Sequence, residues 1–202
     1  AERGEWITQQ IERSKWPHRP DQVMVGGTLY QAVWETARGL QGSLDHDHQR
    51  ISARCRPRHI GRVMESTLRD HAGQAIRFYI AQYTNDHNLD YNTVRIKDTT
   101  SRWGSCSARG NLNFSWRLIM APESVLRYVV AHEVAHLEHL NHGPAFWALC
   151  RKIYVEDIKP AKHWLSANSA ILHGWSGEIV ARALRSDITS RPTADRPESG
   201  SL

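Results

Sequence analysis

The residues best suited to chemistry lie between Tyr128 and Leu137, a stretch that contains the pattern His-Glu-x-x-His. Side chains four residues apart share one face of an α-helix, so His132 and His136 are placed to bind one metal ion. Glu133 follows the first histidine, where a carboxylate can hold and deprotonate a water molecule beside the ion. Apolar residues around the motif give this helix a buried side. The spacing therefore predicts the site of a zinc hydrolase with Glu133 as its base.

A catalytic zinc takes three protein ligands and keeps a fourth position for water. The candidates for the third ligand are His139, His142, Glu156 and Asp157. On a straight helix with 3.6 residues per turn, His139 would lie about 60° around from the first two histidines. His142 directly precedes Gly143, where the chain leaves the helix and a side chain can fold back; it also matches the last histidine of the long metzincin pattern. We predict His142, with an acidic ligand, Glu156 or Asp157, as the alternative.

Composition limits the class of protein. A chain of 202 residues fits one domain with an ordinary core. The net charge of +5 is compatible with anionic partners such as nucleic acid, although Lys and Arg alternate with acids along the chain, as on an ordinary solvated surface. The three cysteines form no Cys-x-x-Cys pair, which indicates neither a disulfide framework nor a thiolate zinc cluster. With no apolar run of about 20 residues and no signal-like start, we expect a cytoplasmic protein without a membrane span.

Composition also divides the chain. Residues 1–21 are polar and interrupted by Pro17 and Pro20, and we expect a loosely ordered lead-in. Residues 22–175 carry the apolar patterns of a folded domain. Residues 176–202 are rich in Ser, Thr, Pro and charge, so a polar and largely disordered tail is expected there, with one helical turn or more over Ile179–Leu184.

The first part of the domain is predicted to be β-structure. Gly26-Gly27 between two β-branched runs predicts a hairpin over Val23–Tyr30. A further pair of strands is expected over Gln31–Thr36 and Arg50–Cys55. Between them, Asp45–His48 alternates Asp and His in a manner that could bind metal. We interpret it as an exposed polar turn, because no third ligand has a useful spacing.

A long helix is predicted next, because apolar residues recur at helical spacing, with an interruption expected at Gly73. These residues are Ile60, Met64, Leu68, Ala72, Ile76, Tyr79 and Tyr83.

Strict alternation from Leu112 to Leu118 predicts a half-buried strand, and we expect it to be the sheet edge that pairs with an extended substrate. Pro122 suits the first turn of the zinc-binding helix. Gly143-Pro144 ends one helix and begins another, and a further helix is expected over Lys159–Leu172.

Several blocks of sequence occur together in a fixed order around the zinc motif. They are Ser101-Arg102-Trp103-Gly104-Ser105-Cys106, Gly110-x-Leu112-Asn113-Phe114, Ala121-Pro122, Tyr128 to Leu137, and Asn141-His142-Gly143-Pro144-Ala145-Phe146-Trp147. This combination resembles the YgjP-like metallopeptidase domain family, which is related to SprT-like and other zincin peptidases. The resemblance extends over about Val23 to Trp175 and is strongest from Ile96 to Trp147.

The resemblance implies a compact α+β zincin-like fold, with a small, mostly antiparallel sheet packed on helices that include the His-Glu-x-x-His helix. It implies a single zinc ion held by His132, His136 and His142, and Glu133 as the catalytic base. The chain departs from the family at Gly143, where the usual residue is serine; glycine there is common in SprT-like proteins. This difference affects the local turn and leaves the ligand in place.

We therefore expect a metallopeptidase that hydrolyses peptide bonds of a protein or peptide substrate by a zinc-activated water. One alternative is a nucleoside triphosphate pyrophosphatase, an activity attached to a member of the same family, although no Gly-rich phosphate loop supports it. Another is a nucleic-acid-associated, SprT-like protease, suggested by the net charge and by the likeness. Candidates for an oxyanion donor are Arg102, Tyr154 and His163, and we expect Trp103 to be a packing anchor. No oligomeric state is indicated.

Overall fold

The computed structural model describes residues 19–99 and 101–190. Most of the expected lead-in, residues 1–18, and the last part of the expected tail, residues 191–202, lie outside these described ranges.

A four-stranded sheet begins the fold. Its strands are β1 (Gln22–Val25), β2 (Thr28–Glu35), β3 (Gln41–Asp45) and β4 (Arg50–Arg54), in the order β1-β2-β4-β3. The predicted hairpin is confirmed: Gly26 and Gly27 have φ angles of 60° and 80°, which glycine adopts without strain. β2 and β4 pair in parallel, whereas the other two pairings are antiparallel. The sheet is therefore mixed, and Asp45–His48 leads into the turn between β3 and β4.

One long helix, α1 (Ile60–His87), follows a short 3-10 turn and is the central element of the fold. It packs on the first sheet and on the helix that carries the zinc motif. The predicted apolar side is confirmed, since all of its predicted core residues except the half-buried Tyr79 are buried. The expected interruption is wrong. The helix is continuous from Ile60 to His87 through Gly73, where an added Cβ would make only an ordinary contact with Ile96, at 3.6 Å.

A second, three-stranded sheet lies beside α1. It consists of β5 (Thr93–Lys97), β6 (Gly104–Cys106) and β7 (Asn111–Ser115), in the order β5-β7-β6. β7 pairs in parallel with β5 and antiparallel with β6. The prediction that this strand is a free sheet edge is wrong, because both of its sides are already hydrogen-bonded to other strands. The strand is also shorter than predicted. From Trp116 to Met120 the chain forms a 3-10 helix that buries Trp116 and Leu118, which prolongs the apolar pattern beyond the strand.

Three helices complete the part around the zinc motif. They are α2 (Glu123–Ala135), α3 (Pro144–Ile153) and α4 (Ile158–Gly174). The predicted starts are confirmed: Pro122 precedes α2, and Gly143 caps α3, which begins at Pro144. α2 packs on α3, α4 and β6, so the zinc motif lies between a strand on one side and two helices on the other.

The last described element is α5 (Gly177–Ser190), which packs along α1. The sequence indicated only a helical turn or more over Ile179–Leu184 within a polar tail, whereas the structure has a helix over the whole of Gly177–Ser190. Val180 and Ala181 are fully buried, and Gly177 lies so close to Gly61 that a Cβ on it would be 2.8 Å from the Gly61 carbonyl carbon. The Gly177 N–H also donates to Oε1 of Glu65 at 2.8 Å. Small residues let α5 pack closely on α1, so few large apolar side chains are needed to hold α5 in place.

The α+β fold class is confirmed, with two small mixed sheets in place of the single sheet expected; three of the five strand pairings described here are antiparallel. Among the described helices, none combines the length and the apolar character needed to cross a membrane.

Candidate metal centre

The zinc motif occupies the last turn of α2. Glu123 in the first turn complements the positive end of the helix dipole, and a continuous apolar side that includes Val129, Val130 and Val134 holds the helix in the core. The helix ends at Ala135, and His136 is its C-cap residue with φ −68° and ψ −15°. The two histidines of the motif therefore lie at the negative end of the helix dipole, where a cation is favoured.

The structure brings the three predicted zinc ligands together. Nε2 of His142 lies 2.9 Å from Nε2 of His132 and 3.2 Å from Nε2 of His136. Two nitrogens bound tetrahedrally to one zinc at about 2.0–2.1 Å would be about 3.3–3.4 Å apart. Among the described residues, these three histidines form the only group of three or more His, Cys, Asp or Glu residues able to hold a metal ion. The donor set fits zinc.

A tight return of the chain after α2 brings His142 back to the motif. Nδ1 of His136 lies 2.9 Å from the backbone oxygen of His139 and donates to it. This bond fixes the tautomer and leaves the lone pair on Nε2, as in metal sites where the second nitrogen of a ligand is held by a carbonyl group. His139 thus contributes a backbone acceptor rather than an imidazole at the centre.

Two aromatic side chains at the start of α3 pack against the three imidazoles. Phe146, fully buried at the start of α3, has its ring centre 4.9 Å from that of His132, 4.4 Å from His136 and 4.7 Å from His142. Trp147 stacks against His142 at 5.7 Å. Because residues in one turn of α3 contact all three imidazole rings, the orientation of these rings is restricted. His142 is exposed, so the centre is accessible from the solvent at this ligand.

Burial sets the protonation of these histidines. It lowers the pKa of His132 to about 3, and repulsion from the neighbouring imidazoles of His136 and His142 acts in the same direction. Burial also lowers the pKa of His136. Both rings are therefore neutral at pH 7, which is the form that binds metal.

Glu133 is buried beside the centre, with 6% of its surface exposed. Burial raises its pKa to about 7, and the positive charge of Arg102 partly opposes this effect. Gly104 on β6 packs directly against it: a Cβ at this position would lie 2.5 Å from Cγ, 2.7 Å from Oε1 and 2.8 Å from Cδ of Glu133. Only a residue without a side chain leaves room for the carboxylate.

The other candidates lie elsewhere. Oε1 of Glu156 accepts from Arg127 at 2.9 Å, and Asp157 caps α4 by accepting from the Lys159 N–H at 3.0 Å. Tyr154 is fully buried, with its ring against Tyr128 at 5.7 Å. Neither acidic side chain joins the three histidines.

Two of the oxyanion candidates, Arg102 and His163, are exposed. Trp103 packs as predicted: its ring stacks on His173 at 4.3 Å, and its Nε1 donates to Ser169 at 3.2 Å.

Sequence reasoning missed two residues at the centre. The close approach of Gly104 to Glu133 joins positions far apart in the chain, and its only signal was the glycine in the Ser101–Cys106 block. Lys162, on α4, has its ammonium group 5.1 Å from the ring centre of Trp147, the tryptophan that stacks on His142. Helical spacing gave no sign that this lysine would lie near the histidines.

Comparison with known proteins adds one match. The family model described as YgjP-like, metallopeptidase domain, matches residues 1–168, which is most of the chain. No curated protein and no solved structure matches the chain significantly.

Proposed function

The chain belongs to the YgjP-like metallopeptidase domain family, and on that premise we propose that it is a zinc-dependent peptidase with Glu133 as its general base. One observation carries the proposal. Three imidazole nitrogens converge within metal-binding distance of one another, directly beside a buried carboxylate. A purely structural zinc site would normally have four protein ligands, whereas this group offers three and leaves a position open.

His132, His136 and His142 would hold the ion through Nε2. Zinc bound there would supply Lewis acidity, which lowers the pKa of water towards about 7 and polarises a carbonyl group. The chain's own part is to hold the imidazoles in place. The packing of the Phe146 ring and the hydrogen bond from His136 to the His139 carbonyl fix the imidazoles before any substrate binds.

Glu133 moves the proton. Its carboxylate accepts a proton from the attacking water and hands it to the nitrogen of the departing amine. Burial raises the pKa of Glu133 to about 7 before any ion is bound, and the charge of a bound Zn²⁺ would favour the carboxylate form that accepts the proton. Gly104 limits the space on one side of the carboxylate, so β6 restricts the positions that Glu133 can take.

The test compares metal content and turnover in three proteins: the wild type, Glu133→Gln and Glu138→Gln. Glutamine keeps the shape of the side chain but cannot accept the proton. We expect zinc in all three proteins and casein cleavage that falls by about 10²–10⁴-fold only in Glu133→Gln. Glu138 is exposed and lies five residues further on, so Glu138→Gln controls for the loss of a carboxylate near the motif.

The same proteins should be offered nucleoside triphosphates, with release of pyrophosphate as the readout. Zinc together with pyrophosphate release and no cleavage of casein would assign the chain to nucleotide hydrolysis instead. Absence of bound zinc from the wild type would overturn the metal centre itself, and full activity of Glu133→Gln would overturn the role of the base.

A further inference from the structure

The second sheet has a polar face directed away from α1 and α2. Along β5 and β7 the side chains alternate, so Val94, Ile96, Leu112 and Phe114 pack towards the core. The intervening residues lie on the opposite face, which we call the polar sheet face. In register they are Thr93 with Asn111, Arg95 with Asn113, Lys97 with Ser115, and Ser105 of β6 beside Asn113. None of these seven residues is acidic or apolar.

Positive charge collects on and around this face. Arg95 and Lys97 lie on β5, Arg102 precedes β6, and Arg109 lies in the turn between β6 and β7. All four are exposed, and among the described residues none of them forms an ion pair with a carboxylate.

The one acid between residues 91 and 118 is Asp98, which pairs with Arg117 and lies 3.7 Å from Arg69. Its charge is thus already balanced. The cations that looked scattered along the sequence form an uncompensated patch in the structure.

A small pocket opens within this patch. It has a volume of about 100 Å³, and the residues that line it include Lys97, Arg102, Ser105, Asn113 and Ser115. The hydroxyl oxygen of Ser115 is fully buried and has no hydrogen-bond partner among the described residues. Nδ2 of Asn113 donates to the Ser105 hydroxyl at 3.2 Å, which leaves that hydroxyl free to donate to a ligand. A single water molecule needs about 10–15 Å³ on this measure, so the pocket has room for a larger group such as one phosphate.

We propose that the polar sheet face binds single-stranded nucleic acid, with the four cations contacting backbone phosphates and the pocket seating one of them. A strand of five residues is about 16 Å long, enough for several consecutive phosphates. The side-chain amide of Asn113 can pair with a base edge, and Tyr91, 43% exposed just before β5, offers a ring on which a base can stack. A single small anion would not use this length of surface.

The binding does not depend on the proposed function, because none of the residues named for it is a metal ligand or the proposed base. Gly104, which packs against Glu133, also lines the pocket, but it can offer only backbone atoms there. Arg102 nevertheless acts electrostatically on Glu133, so the two surfaces adjoin. A nucleic acid on the polar sheet face would lie next to the metal centre, and proteins associated with it would be brought close to Glu133.

The experiment measures fluorescence anisotropy of a labelled single-stranded DNA of about 12 nucleotides, titrated with the full chain at several salt concentrations. Four phosphate contacts predict a slope of log K against log salt of about −2.8, at about 0.7 per contact for single strands. In the double variant Arg95→Ala/Lys97→Ala the salt dependence should be half as steep, with a slope of about −1.4. The affinity at about 50 mM salt should then fall by roughly 50-fold.

Two controls are matched to the variants. Lys152→Ala/Lys159→Ala removes the same charge from exposed sites on α3 and α4, and it should leave binding within about twofold. Asn113→Asp places a carboxylate at the centre of the face without a change of size, and it should weaken binding. Its counterpart, Gln82→Glu on the exposed side of α1, should not. Thermal unfolding of each variant verifies that the fold is retained.

Four results would overturn the proposal. They are absence of binding at about 50 mM salt, equal weakening by the control double variant, tighter binding of duplex than of single-stranded DNA, and displacement of the DNA by micromolar pyrophosphate. The last result would assign the pocket to a small phosphate compound.

Discussion

Replacing Gly104 by alanine should disable the centre without touching a metal ligand. The φ angle of Gly104 lies outside the left-handed region, so the backbone tolerates alanine and crowding is the only source of strain. The new Cβ would lie 2.5 Å from Cγ and 2.8 Å from Cδ of Glu133. Carbon atoms prefer about 3.5–4.0 Å, so β6 and Glu133 must separate by about 1 Å.

The magnitude follows from that displacement. A misplacement of about 1 Å at a catalytic group costs on the order of 100-fold in rate, and we expect a loss of that size in kcat/KM for a peptide substrate. Crowding in a packed interior costs about 1–3 kcal/mol, which should lower Tm by several degrees. Zinc content should stay at the wild-type value, because His132, His136 and His142 lie outside the altered contact.

The matched control is Gly174→Ala at the end of α4, where an added Cβ would meet nothing within 4 Å. It should retain both activity and Tm. Wild-type kcat/KM in Gly104→Ala would refute the idea that β6 positions Glu133. Loss of zinc along with activity would show instead that the substitution disturbs the histidines.

Three further predictions concern the ligand set, the last helix and pH. His142→Ala should abolish tight zinc retention, whereas Glu156→Ala should keep the metal, as metal analysis of the two variants will show. Glu156→Ala should also lose about 3 kcal/mol of stability in denaturant unfolding, because its ion pair with Arg127 is broken. Gly177→Ala should lower Tm because the Cβ would overlap the Gly61 backbone, and an unchanged Tm would mean that α5 packs loosely. Burial lowers the pKa of His173 below its ordinary value of 6.5, so the unfolded chain binds protons more readily than the folded one. The contribution of His173 to stability is therefore present above about pH 6.5 and is lost as the pH falls. Measured in the presence of a metal chelator, the Tm of His173→Phe should be less sensitive to pH between about 7.5 and 5.5 than that of the wild type.

Local patterns were sufficient for much of the fold. The helical spacing that defines α1 and the Gly26-Gly27 hairpin each depend on residues close in sequence, and the structure confirms both. Gly143-Pro144 begins α3 as predicted, but the prediction that it ends the preceding helix is wrong, because α2 already ends at Ala135. His132, Glu133 and His136 were predicted as site residues in the same way. The third ligand required a choice among candidates, because a side chain that returns from a loop leaves no periodic signal; the structure places His142 with the other two histidines.

Contacts between distant segments could not be predicted. Alternation marked residues 112–118 as one strand, since a 3-10 helix that buries Trp116 and Leu118 continues the same apolar pattern. α5 is held by the close packing of Gly61 and Gly177, and small residues contribute little to a hydrophobic pattern. Clustering of Arg95, Lys97, Arg102 and Arg109 depends on the registers of β5 and β6 against β7, which the sequence alone does not define.

The alternation of β6 keeps the two proposed activities apart. Gly104 packs towards Glu133, whereas Ser105, the next residue, lies on the polar sheet face beside Asn113. Gly104 also lines the pocket, but only with backbone atoms. Side chains of successive strand residues point to opposite faces, so a Cβ added to Gly104 would meet Glu133 and not the polar sheet face. Gly104→Ala should therefore lose peptidase activity and keep the affinity for single-stranded DNA, and Asn113→Asp should show the reverse. If either variant lost both properties while Tm stayed unchanged, the two surfaces would have to be one site.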